Sequence, residues 1–303
     1  VLAGAPMEYL GRKQTMKIGI GLPTTIPGVR GELALDWARR ADAGPFSSLG
    51  VTDRLVYPGY DVLIALAAAA AVTRRIRLMT TVLLAPLRNA AVLAKQAATI
   101  DVLSGGRFTL GVGIGGREDD FRAASVPFRS RGRRLAEQLA LMKRIWSGQP
   151  VSEDIGPVGP PPVQPGGPEV LIGGYSPAAM RRVGRWADGY ISGGSSDVQQ
   201  IQQLYRVAEE SWQAAGRPGK PRLVAAIYYG LGPNARERAA VFIRNYYAFI
   251  GPRVEGMVQN LPAAPETIRA IMSTFADIGV DELICWPCIP ELDQIDRLAD
   301  LVG

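Results

Sequence analysis

Asp53, Arg54 and Tyr57 place a carboxylate, a guanidinium and a phenol within five residues. In a chain with no histidine, carboxylates, phenols, thiols, lysines, water or a cofactor must carry any proton transfer. The same absence excludes Ser–His, Cys–His and histidine–metal mechanisms together. It points to a cofactor that carries the difficult chemistry. Without a function, Asp53 and Arg54 read as an ion pair in a loop.

Gly111, Val112, Gly113, Ile114, Gly115 and Gly116 formally match a dinucleotide-binding fingerprint. Three strand–helix units precede them, however. The residues that follow, Arg117, Glu118, Asp119 and Asp120, would set three carboxylates against a pyrophosphate. A tight turn at a strand end, open enough for a flat ring to approach the backbone, is the better reading. In Gly173, Gly174, Tyr175, Ser176 and Pro177, Ser176 suits a helix N-cap and Pro177 a first helical turn. Free N–H groups of such a turn also bind phosphate, and the two readings are compatible.

Cys285, Trp286, Pro287 and Cys288 form a C-x-x-C. It follows the last strand rather than the first. No second pair completes a zinc site, so two structural cysteines and no metal are expected. Tyr57, Tyr228, Tyr229 and Trp286 either line an aromatic pocket or pack the mouth of the fold.

The elements that must position these residues alternate. Apolar runs at 17–22, 46–51, 76–80, 107–112, 169–172, 189–192, 222–229 and 282–285 read as strands. Helical patterns follow at 32–43, 61–72, 90–103, 131–145, 177–185, 198–215, 235–250, 265–278 and 292–301. Eight such units in 303 residues predict an α/β fold, a closed (β/α)8 barrel, with an open doubly wound sheet as runner-up. The Pro- and Gly-rich segment 148–168 reads as a loop and 251–262 as an irregular join. Neither separates domains, so a single domain over 16–303 is expected. Residues 1–15 read as an extension, with Met16 as the natural start.

The net charge of +6 favours anionic ligands. No aromatic residue interleaves with Arg129, Arg131, Arg133 and Arg134, so no nucleic acid is expected as a partner. The apolar stretch 62–72 is too short to span a bilayer, and the N-terminus carries no secretory pattern. No membrane partner and a cytoplasmic location are expected.

The stretch TTVLLAPLRNAAVLAKQAATIDVLSGGRFTLGVGIGGRE from Thr80 to Glu118 resembles the luciferase-like monooxygenase superfamily. PEVLIGGYSPAAMRRVGRWADGYI and DELICWPC match its later motifs, and the resemblance runs from Lys17 to the C-terminus. It implies a (β/α)8 barrel that holds reduced FMN or the deazaflavin coenzyme F420 at the strand C-terminal ends. It implies a bulge after the third strand, often with a non-prolyl cis peptide, that backs the ring. Here that bulge maps to Thr81 and Val82. The phosphate turn maps to Gly173, Gly174, Tyr175 and Ser176. The ring and ribityl contacts map to Gly21, Leu22, Pro23, Asp53, Arg54, Arg88, Gly111, Val112 and Gly113. Many members carry a histidine after the second-strand Asp, where this chain has Arg54. Asp53, Tyr57 or a water is left as proton carrier, and FMN and F420 both stay open. FMN implies monooxygenation of a small organic substrate with a flavin reductase as partner, F420 implies hydride transfer, and a homodimer is an expected assembly. A non-catalytic flavin-binding protein and a nicotinamide-dependent dehydrogenase are the alternatives.

Overall fold

The computed structural model describes residues 15–194 and 197–302. The extension expected at 1–15 therefore lies outside the described residues, apart from Thr15.

Eight strands form the barrel: β1 (Lys17–Gly21), β2 (Ser48–Val51), β3 (Arg77–Leu84), β4 (Phe108–Gly113), β5 (Glu169–Gly173), β6 (Gly189–Ile191), β7 (Arg222–Tyr229) and β8 (Glu282–Pro287). Each pairs in parallel with its sequence neighbour, and β1 pairs with β8 from Lys17↔Glu282 to Ile20↔Cys285. That closing ladder rules out the open sheet. The strands are apolar along most of their length because helices cover them outside and layered side chains fill them inside.

The helices are α1 (Gly31–Ala43), α2 (Val62–Val72), α3 (Ala90–Ser104), α4 (Glu118–Ala123), α5 (Arg131–Trp146) and α6 (Pro177–Met180). They continue with α7 (Val183–Trp186), α8 (Val198–Ala214), α9 (Ala235–Tyr246), α10 (Val254–Gln259), α11 (Pro265–Asp277) and α12 (Asp293–Val302). Local chemistry sets their ends. The Asp61 carboxylate accepts the N–H groups of Leu63 and Ile64 and starts α2, and Asn89 does the same for α3. Gly105, at φ 64°, ends α3.

Several segments depart from the sequence reading, among them α4, which falls where no helix was expected. The helix expected at 177–185 is two short helices, because Ser211 captures both backbone groups at the break. Its Oγ accepts the Gly184 N–H at 3.2 Å and donates to the Arg181 carbonyl at 2.8 Å. The helix expected at 235–250 stops at Tyr246 and continues as a tight 3-10 stretch, kinked at Gly251 ahead of Pro252. The join at 251–262 contains α10. The Pro-rich loop is a loop as expected. Buried Asp101 ties it down by accepting the N–H groups of Val163 and Gln164.

The N-terminal end of the barrel is plugged by ions. Arg222 donates to Glu169 at 2.6 Å and to Glu282, which also accepts the Ser47 hydroxyl. Arg77 reaches Thr109 at 2.8 Å, whose hydroxyl donates to Glu169 at 2.8 Å. Arg77, Glu169, Arg222 and Glu282 each open a strand, so their charges meet in one layer across the barrel floor.

Candidate active site at the C-terminal rim

Strand β3 runs past the expected end at residue 80 through a register shift between Thr80 and Leu83, and the Thr81–Val82 peptide is cis. Three glycines make room for this bulge. A Cβ on Gly111 would lie 2.1 Å from the Thr80 carbonyl oxygen, and one on Gly113 or Gly173 would lie 2.7 or 2.8 Å from the Val82 side chain. The space that the sequence reading left for a flat ring over Gly111 and Gly113 is therefore filled by the bulge itself. Val112, between them, is fully buried. The glycines let the Thr81–Val82 peptide stand on the rim.

Asp53 follows β2, and its side chain is 3% exposed. It accepts the Leu84 N–H at 2.9 Å and the Arg88 guanidinium at 2.6 Å, while Arg88 also reaches Asp61 at 3.1 Å. Asp53 and Arg88 thus clamp the end of β3 rather than stand open to solvent. Arg54 turns away from this pair towards α9. It donates to the Tyr246 carbonyl at 3.0 Å and the Val56 carbonyl at 2.9 Å, with its guanidinium 4.3 Å from the Tyr57 ring centroid. Burial, with Arg117 nearby, pulls its pKa below the usual guanidinium value. The Tyr57 hydroxyl donates to Asn245 at 2.7 Å, and burial raises its pKa.

The same corner holds residues the sequence reading passed over as candidates. Arg117 pairs with Asp119 at 2.8 Å and lies over the Phe249 ring at 4.3 Å. Asp120 accepts the Val56 N–H at 2.7 Å. Arg54 Nε, Arg117 Nε and Asp120 Oδ2 are buried with no hydrogen-bond partner among the described residues. Such atoms mark where a ligand or water gains bonds.

Across the mouth, a Cβ on Gly21 would strike Trp286 Cδ1 at 2.6 Å, so this glycine admits the indole. Trp286 donates to Thr81 Oγ1 at 3.1 Å and packs on Tyr228, with ring centroids 5.0 Å apart. Leu22 and Pro23 are buried beside β1, where Pro23 opens a short 3-10 turn. Tyr229 faces outward instead and donates to the Gln294 carbonyl at 3.1 Å. Of the four aromatics the sequence offered, only Tyr228 and Trp286 touch each other.

The turn after β5 keeps both readings made from its sequence. Ser176 Oγ accepts the Ala179 N–H at 3.3 Å, and Pro177 opens α6. Gly174 adopts φ 153°, and a Cβ there would press on Ala179 at 2.8 Å. The N–H groups of Tyr175 and Ser176 meet no acceptor among the described residues, and both residues are exposed. The Tyr175 hydroxyl donates to the Gly193 carbonyl at 2.5 Å, which ties this turn to the end of β6.

Cys285 and Cys288 are free and buried, and burial pushes the Cys285 thiol up to about 12 and Cys288 higher still. A buried thiol held protonated is a poor redox nucleophile. Among the described residues no cluster of acidic or cysteine side chains could hold a metal, and no helix is long and apolar enough to cross a membrane.

A closed parallel barrel with its glycines, aromatic residues and unpaired polar atoms gathered at the C-terminal rim has the anatomy of a (β/α)8 enzyme fold. The family model described as luciferase-like monooxygenase matches residues 16–286, and the chain belongs to that family. A Mycobacterium tuberculosis (strain ATCC 25618 / H37Rv) protein of unassigned function is 37% identical over 172 residues, 54% of this chain and 60% of that protein. An F420-dependent secondary alcohol dehydrogenase, solved with an F420–acetone adduct, superposes with a TM-score of 0.80 at 19% identity, covering 94% of this chain and 98% of that one. The oxygenating component of 3,6-diketocamphane monooxygenase from Pseudomonas putida, a type II Baeyer–Villiger monooxygenase solved with FMN, gives 0.71 at 18% identity, covering 95% and 97%. At these identities the structural likeness is one of fold.

Proposed function

We propose that this protein is an oxidoreductase that holds FMN or the deazaflavin F420 at the C-terminal rim and acts on a small organic molecule. One observation carries the reading. The rim sets a phosphate-ready turn, with Tyr175 and Ser176 N–H groups that have no partner among the described residues and with the Ser176 hydroxyl, beside the Thr81–Val82 peptide that rises between Gly113 and Gly173. The residues present fit a flavin phosphate, because the turn offers donors and no carboxylate. The matched family and the F420- and FMN-dependent proteins of the same fold support the assignment.

Bound FMN would supply oxygen-dependent oxygenation and bound F420 hydride transfer. The chain's own contribution is placement. Tyr175 and Ser176 would hold the phosphate, and the Thr81–Val82 peptide, fixed by Trp286, would back the ring. Asp53 and Arg88 act as positioning residues, since they bind the end of β3 rather than face the mouth. Tyr57 is the open proton carrier of the two that the sequence offered, with Arg54 stacked on its ring. Gly111 and Gly113 lie inside the β4 ladders and face the bulge, which removes the ground for a nicotinamide-binding turn.

The FMN form would draw on a flavin reductase. A homodimer finds its support in α2, which is apolar on every side yet leaves Ile64 72% exposed.

Titration of the purified protein with FMN, riboflavin and F420, followed by fluorescence, tests the reading. Tight binding of FMN or F420 with much weaker riboflavin binding is expected. Equal binding of FMN and riboflavin moves the phosphate elsewhere, and no binding of any of the three overturns the proposal. Cofactor bound with no turnover of any substrate would favour the non-catalytic alternative.

A further inference from the structure

A cavity of about 320 Å³ lies between the end of β7, α9 and the 248–262 segment, outside the cofactor residues assigned above. Its walls mix apolar side chains, Ile227, Ile243, Met257 and Leu261 among them, with the polar Asn260 and Arg253, and Gly194 and Tyr228 stand at its inner side. Gly194 joins the cavity to the barrel mouth. A Cβ there would lie 3.1 Å from the Tyr228 ring, 3.6 Å from Trp286 and 3.6 Å from the Tyr247 hydroxyl. Trp286 in turn holds Thr81 of the bulge.

The hydroxyls of Tyr228 and Tyr247 face each other at 2.9 Å, and no other partner is recorded for either among the described residues. Two hydroxyls carry two protons, and one hydrogen bond between them uses one. Among the described residues the second O–H has no acceptor, and where water is kept out an unmade bond costs about 1–3 kcal/mol. Burial, helped by Tyr247 for Tyr228 and by Tyr246 for Tyr247, raises both phenols well above their ordinary pKa and keeps them protonated. At the outer side of the cavity stands Arg253, exposed and without an acidic partner among the described residues.

We propose that this cavity receives the organic substrate, an apolar molecule whose carbonyl or hydroxyl oxygen accepts the free proton of the Tyr228–Tyr247 pair while an anionic group at its far end meets Arg253. The assignment rests on the oxidoreductase reading for its meaning as a substrate site, but binding to the cavity is measurable without it. Tyr247 is placed as the donor of choice, because its hydroxyl lies beside Gly194, where cavity and mouth meet.

The experiment is calorimetric titration of the protein, without added cofactor and again with FMN or F420, using 7-oxooctanoate, octanoate and 2-octanone as probes. The oxo acid is expected to bind tightest. Tyr247→Phe should remove its advantage over octanoate, about tenfold, and Arg253→Ala its advantage over 2-octanone, while neither changes cofactor affinity. Gly256→Leu and Met257→Trp, which project into the cavity, should each block the probes with the fold intact by circular dichroism. For Gly256 a new Cβ meets nothing within 4 Å, so the fold should tolerate the change. Unaltered probe binding in both filled variants overturns the proposal, as does an oxo-acid preference that survives Tyr247→Phe. Loss of cofactor binding in the filled variants assigns the cavity to the cofactor instead. Probe binding that follows the pattern in a protein that takes up no flavin leaves the cavity assignment standing and overturns only the oxidoreductase reading.

Discussion

The two ends of the barrel solve opposite problems. At the floor, Arg77, Glu169, Arg222 and Glu282 meet as alternating charges, and each finds partners within the layer. At the rim, arginines lie over aromatic rings, Arg117 Nε and Asp120 Oδ2 face each other only as a loose ion pair at 3.8 Å, and Arg54 Nε keeps no hydrogen bond among the described residues. The Tyr175 and Ser176 N–H groups are likewise unclaimed. A buried charge left unpaired is costly, so each charged residue of the floor has an opposite charge beside it, although Arg77 Nε itself makes no hydrogen bond among the described residues. The rim, where a cofactor is proposed to bind, leaves donors and acceptors unused. Strand β8 shows both rules in six residues, with Glu282 locked in the floor and Trp286 braced on the bulge.

The contrast breaks most visibly at Glu282. Glu282→Gln leaves the partly buried Arg222 with one of its two carboxylate partners, and a loss of about 3 kcal/mol is expected in urea unfolding. A loss below about 1 kcal/mol would mean that the floor is not what holds the barrel shut. Three residues further along the strand, Cys285 should be chemically silent. With its thiol at about 12, alkylation of the native protein at neutral pH should run on the order of a thousandfold slower than in the unfolded chain. Mass spectrometry after pulsed iodoacetamide measures this, and rapid native labelling would reopen the redox reading of the C-x-x-C.

At the rim, Gly111→Ala pushes a methyl onto the Thr80 carbonyl, with about 1–3 kcal/mol of overpacking. Its sharper effect should be loss of FMN or F420 binding, because the bulge must move. Intact affinity would separate the bulge from the cofactor. Ser176→Ala should have the smallest effect. It removes one hydroxyl contact and the cap of a four-residue helix, and FMN affinity should fall about tenfold with riboflavin unchanged. Gly174 is a poorer probe of the same turn, since its φ of 153° and its contact with Ala179 make any side chain distort the backbone first.

The alternation of apolar runs with helical stretches was enough to read eight βα units, and the strands at 222–229 and 169–172 needed little adjustment. These are local signals, set by side-chain periodicity and by caps such as Asp61 and Asn89, so the chain carries them residue by residue. The motif residues were legible too, as types: the glycines at 111, 113 and 173 and the Ser176–Pro177 helix start. What those glycines accommodate was not. Gly113 and Gly173 sit sixty residues apart in sequence, yet both yield to Val82, a contact that exists only once β3, β4 and β5 lie side by side.

The same holds for Asp53, whose role is decided by Arg88 and Leu84 from the next strand's end. Tyr247 lay hidden because a helix drawn to residue 250 would have pointed it by helical phase alone. The actual end at Tyr246, ahead of Gly251 and Pro252, turns its hydroxyl to Tyr228, nineteen positions back in the chain. Sequence alone therefore determined most of the elements and their order, because periodicity and capping act over a few neighbours, while closure of the barrel rests on the pairing of β1 with β8. Tertiary structure decided which polar groups were satisfied and which were left for a ligand, because that depends on every strand end that reaches the rim.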